Sequence, residues 1–99
     1  MEDLIHIQKT FEKVNYINKK ISNREFEDCV FKNCDFSNSD FANNTFMDCE
    51  FIDCNLSMLN LSGSSLKSVN FKNCKLLGIH FLTYGTISGL RFGLFFIYQ

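Results

Sequence analysis

Five cysteines, Cys29, Cys34, Cys49, Cys54 and Cys74, are the residues of this 99-residue chain best placed to do chemistry. Cys29/Cys34 and Cys49/Cys54 form two C-x4-C pairs set twenty residues apart. Four thiolates brought to one point would hold zinc. The competing reading is plainer: cysteine is a small apolar side chain that buries well. An odd number of cysteines cannot close a complete disulfide framework within one chain, so reduced thiols and a cytoplasmic, bacterial-type setting are expected. The two histidines, His6 and His80, lie far apart in the sequence. No phosphate-binding glycine loop, HExxH or GxSxG accompanies them. The residue types therefore predict no enzyme, no cofactor and no metal.

The elements that position the cysteines are set by a period of five. Phe26, Phe31, Phe36, Phe41, Phe46, Phe51, Leu56, Leu61, Leu66, Phe71, Leu76 and Phe81 are twelve successive fifth residues, all Phe or Leu. The residue two before each is mostly small, and all five cysteines fall in that class. Five fits neither the 3.6 of a helix nor the 2.0 of a plain strand. It suits a chain that turns a corner every five residues. The large residue and the small one two before it share a strand face and point inward. The residue between them points out, and Asn, Asp, Ser and Gly in the remaining pair suit the corner. Four sides close a square coil of twenty residues, so residue n lies over n+20. Columns such as Phe11/Phe31/Phe51/Phe71 then line the interior.

Cys34-Asp35-Phe36-Ser37-Asn38 and Ser39-Asp40-Phe41-Ala42-Asn43 resemble the pentapeptide-repeat family, whose consensus is small–Asp/Asn–Leu/Phe–x–x. The resemblance covers residues 24–83 and implies an all-β fold, a right-handed quadrilateral parallel β-helix of about three to three and a half coils. Residues 11–23 read as a degenerate first coil through Phe11, Tyr16 and Ile21, with an amphipathic helix as the rival, and residues 1–10 as a lead-in. After Phe81 the fives fail, since they fall on Thr86 and Arg91. The apolar segment 84–99 is expected to cap the last coil, to be the end of a shortened repeat array, or to pair with a second copy as a homodimer. Membrane insertion of this tail would bury Arg91, which is costly, and no membrane association is expected.

Charge bears on partners. Ten basic and eleven acidic residues give −1, which argues against direct nucleic-acid binding. Residues 24–53 hold eight acids, whereas 54–83 hold three lysines and no acid. Glu25, Glu27, Asp28 and Asp48 form a candidate acidic interaction patch ending at Lys67. Phe31-Lys32-Asn33-Cys34-Asp35-Phe36-Ser37, followed by Cys54-Asn55-Leu56-Ser57 and Cys74-Lys75-Leu76-Leu77-Gly78-Ile79, is similar to the N-terminal half of the quinolone-resistance type within the family. That likeness implies a DNA mimic that binds DNA gyrase or topoisomerase IV. The departures are the change of charge sign and the lack of a visible second half, so no residue of a gyrase-contacting loop carries over. A solenoid without a chemical constellation more generally implies a protein-binding or structural module.

Overall fold

In the computed structural model, which describes residues 3–79 and 87–93, the chain winds into a four-sided parallel β-helix. Ten short strands appear among the described residues: β1 (Ile5–Ile7), β2 (Thr10–Glu12), β3 (Glu25–Glu27), β4 (Val30–Lys32), β5 (Thr45–Met47), β6 (Glu50–Ile52), β7 (Ser65–Lys67), β8 (Asn70–Lys72), β9 (Ile87–Ser88) and β10 (Arg91–Phe92). Odd-numbered strands stack as one sheet in the order β1-β3-β5-β7-β9, and even-numbered strands as another, β2-β4-β6-β8-β10. All neighbours are parallel. The third and fourth sides are too short for strands and stack through single-residue bridges, such as Asn15 to Asp35 to Asn55 to Lys75 and Lys20 to Asp40 to Asn60. Residues 5–64 make three complete turns and 65–79 three sides of a fourth. The family-implied architecture, a right-handed quadrilateral β-helix, is the fold present.

The offset of twenty is seen directly, with Phe26 over Phe46 and Phe31 over Phe51. The Phe and Leu residues from Phe26 to Leu76 are all buried, while Phe81 lies outside the described residues. Phe11, Phe31, Phe51 and Phe71 stack almost parallel, with centroids 5.1, 4.6 and 5.4 Å apart. Neighbouring columns meet edge to face, as Phe31 does with Phe26 and Phe36. Such pairs add about 0.5–1.5 kcal/mol each beyond burial.

The corners explain the polar half of the repeat. Two residues after each central Phe or Leu the backbone is left-handed, as at Asn33 (φ 52°), Asn38 (57°), Asp48 (54°) and Asp53 (53°). Asn and Asp visit this region at little cost because their side chains bond locally. At Gly78 (φ 77°) a Cβ would also run into the Met58 sulfur one turn away.

Two expectations are corrected and one rival reading is removed. Residues 11–23 hold no helix: β2 and the bridges at Asn15 and Lys20 continue the coil. Residues 1–10 are not merely a lead-in, because β1 pairs with β3 and sets His6 beneath Phe26. A neutral imidazole is flat enough to stack there, with centroids 4.9 Å apart and planes within 8°. Finally, the repeat does not end at Phe81. Ile87 pairs with Leu66 and Phe92 with Phe71, an offset of 21. One extra residue after Leu76 restores the register, and Gly89 (φ 65°) takes the corner above Ser68. The cap, truncated-end and homodimer expectations for 84–99 fall otherwise on residues outside those described. No helix among the described residues is long and apolar enough to cross a membrane.

Candidate functional site

The cysteines occupy two adjacent interior columns, Cys29 with Cys49 and Cys34 with Cys54 and Cys74. All five are free and buried. Their sulfurs face main-chain carbonyls. Cys49 Sγ donates to the Phe26 carbonyl at 3.3 Å, Cys54 to Phe31 at 3.3 Å and Cys74 to Phe51 at 3.3 Å. Ser64 Oγ does the same to Phe41 at 2.8 Å, and Ser39 Oγ to Tyr16. Where the small position holds Cys or Ser, it is therefore an internal donor to the carbonyl of the central residue 23 positions earlier. Size explains the column only in part, because the slot also supplies a hydrogen bond. Among the described residues no three His, Cys, Asp or Glu side chains stand where they could hold a metal ion.

Burial pushes the Cys49 thiol up to about 12. Cys54, set between the Cys34 and Cys74 sulfurs of its column and buried, is held well above the ordinary thiol range. The neighbouring Cys54 thiol draws Cys34 the other way, below the ordinary range, against the opposing effect of burial. A thiol raised in the folded state keeps its proton after the unfolded chain has lost its own near pH 9. The unfolded state then binds fewer protons, so stability falls as pH rises from about 9 toward 12. Wild-type protein should lose urea resistance across this window, and Cys49→Ala should lose less. An equal alkaline loss in the variant would remove Cys49 as the cause.

The acidic candidates are divided between two places. Asp28 and Asp48 hold the same corner on successive turns, where their backbone amides donate to Met47 O at 3.0 Å and Lys67 O at 2.9 Å. They line an open groove of about 560 Å³ at the edge between the two sheets, with Glu50, Ser68, Asn70 and Arg91. Glu25 and Glu27 point outward from β3 on the neighbouring face, beside Ile5 and Ile7. Glu50 was not singled out in the sequence, because it lies two residues past Asp48 on another side of the coil. It is also partly neutralised, with Lys72 Nζ at 3.0 Å and Asn70 Nδ2 donating at 3.1 Å.

Viewed along the axis, charge is banded. The first coil, 3–23, holds Lys9, Lys13, Lys19 and Lys20 against Asp3 and Glu12. The eight acids of 24–53 follow as a belt on all four sides, and 54–79 return to Lys67, Lys72 and Lys75. No convergent acid, base and nucleophile appears on one face among the described residues.

A family model described as "Pentapeptide repeat region" matches residues 24–93, which includes the strands resumed after the one-residue slip. No curated protein matches the chain. Among solved structures, the chain is similar to a pentapeptide repeat protein, Rfr23, from the cyanobacterium Cyanothece 51142, at 12% identity over 96% of this chain and 91% of that one, with a TM-score of 0.48. It is also similar to full-length QnrB1, a plasmid-mediated fluoroquinolone resistance protein, at 18% identity over 90% of this chain, with a TM-score of 0.41. The match spans 58% of the QnrB1 chain.

Proposed function

Since this chain belongs to the pentapeptide-repeat family, we propose that it works without turnover, as a structural or protein-binding module whose contact surface is the acidic belt. The observation that carries this reading is the distribution of outward charge. Each repeat commits its inward residues to the core and its corner backbone to left-handed turns, so recognition is left to the side chains of the outward and corner positions. Those positions carry a net excess of acid only at mid-height, around the groove of Asp28 and Asp48. A belt of this kind suits a basic protein surface. Its cytoplasmic location belongs to the same proposal and rests on the reduced cysteines.

The second reading is a DNA mimic that binds DNA gyrase or topoisomerase IV and protects it from quinolones. It is favoured by the stacking of Asp28 and Asp48 on one corner. Against it, duplex DNA carries a charge about every 1.7 Å along its whole axis, whereas basic bands flank the belt here. A gyrase supercoiling assay with ciprofloxacin separates the two. We expect folded protein at micromolar excess to leave the inhibition unchanged. Restored supercoiling that is lost on changing Asp28 and Asp48 together to Lys would establish the mimic instead.

A further inference from the structure

His6 is 2% exposed, and neither Nδ1 nor Nε2 has a hydrogen-bond partner. Its ring lies flat on Phe26 and edge-on to Phe11, with centroids 4.9 and 5.4 Å away. Apart from its backbone, where Cys29 Sγ donates to the His6 carbonyl at 3.5 Å, the residue is treated by the fold as one more aromatic ring. An imidazolium in that place would carry two N–H donors and a charge, with only Asp3 near enough to favour them and burial opposing.

The coil around His6 is also weakly secured. β1 and β2 end their sheets and are bonded on one side only. Phe11, Val14 and Tyr16 are only partly buried, and Gln8 and Lys13 hold left-handed corners at φ 54° and 57° without the local side-chain bonds of Asn or Asp. In a solenoid each turn rests only on its neighbours, so an end turn can open alone.

We propose that His6 makes the N-terminal coil an acid-sensitive end: protonation of its ring opens residues 4–23 while the turns from Glu25 onward stay closed. The charged surroundings do not prevent this. Burial holds the ring below its ordinary 6.5; the Asp3 backbone raises it, Lys9 and the chain's amino group lower it, and the Asp3 carboxylate raises it slightly. Glu12 on β2 and Glu25 and Glu27 on β3 are exposed on the outer faces of their strands and do not pair with the ring. The opened coil binds more protons than the closed one. Its closure is therefore complete above pH 6.5 and weakens as pH falls through the window below it, down to the lowered pKa of the closed state. Opening uncovers Phe26, Phe31, Phe36 and Phe41, an apolar layer that the first turn covers.

Amide hydrogen exchange between pH 7.5 and 5.0, corrected for intrinsic rates, tests this. The Gln8, Lys13 and Tyr16 amides bond to Glu27 O, Lys32 O and Asp35 O across the first and second turns. Their protection should fall by up to about tenfold per pH unit below 6.5, the most one proton can produce. The Asp48 and Asn55 amides, bonded to Lys67 O and Cys34 O, should be unaffected. His6→Phe continues the aromatic column and should make first-turn protection independent of pH. Flat protection in the wild type, or the same acid loss in His6→Phe, would overturn the proposal. Should His6→Phe not fold, the ring-proton titration of wild-type His6 decides: a midpoint at or above 6.5 sinks the proposal, and one below it supports it.

Discussion

Phe31→Ala should cost about 3–5 kcal/mol, the range for truncating a buried aromatic ring, and more than any substitution on the outer faces. Phe31 is fully buried and lies between Phe11 and Phe51, with Phe26, Phe36 and Phe46 edge-on around it. Its loss opens a void at the level where the second turn must support both the first and the third. The surrounding rings are fixed by their own strands and corners, so the void cannot close by a small shift. Urea unfolding followed by circular dichroism measures the effect. A loss below about 1 kcal/mol would show that the column packs loosely enough to refill, and the account of the core given above would be wrong.

Asn44→Leu should be nearly as damaging, by about 2–4 kcal/mol, although it replaces a polar side chain in the core with an apolar one. Asn44 is 1% exposed. Its Nδ2 donates to the Ile21 carbonyl at 2.8 Å, and its Oδ1 accepts from the Arg24 amide at 2.9 Å. Leucine would strand both backbone groups, at about 1–3 kcal/mol each, with apolar burial returning part of that. Its bulk is not the obstacle, because Leu59 is buried in the same class of position. Asn44→Ser should cost less, since the Ser39 and Ser64 hydroxyls donate to the carbonyl below and accept the amide from the side in this manner. Equal stability of wild type and Asn44→Leu would show that the internal ladder contributes nothing.

Asn44 also marks where sequence and structure part. Within the pattern of fives it reads as a flaw, a polar residue in a slot otherwise held by Cys, Ser or an apolar side chain. The structure shows that a thiol, hydroxyl or amide in this slot donates to the turn below, and that Asn44 is one of these donors. Cysteine in five of these places looked like metal chemistry or simple filling, and the carbonyls that receive the S–H groups belong to residues 23 positions earlier. No local pattern displays that relation.

The sequence by itself determined the coil, the identity of the interior columns from Phe26 to Leu76, the corners and the excess of acid in 24–53. All of these follow from the side-chain period, and a period is a property of consecutive residues. Only the tertiary structure decided the ends. His6 lies five before Phe11 and Ile87 six after Phe81; the first breaks the residue type and the second breaks the count. Both are admitted because the turn beside them offers a template. Phe26 presents a flat ring on which an imidazole can stack, and β7 and β8 present unpaired edges that a chain one residue longer can still reach. Stacking registers are set by the neighbouring turn rather than by the spacing along the chain, and for that reason the acidic candidates also separated, Asp28 and Asp48 into a corner groove and Glu25 and Glu27 onto the adjoining face.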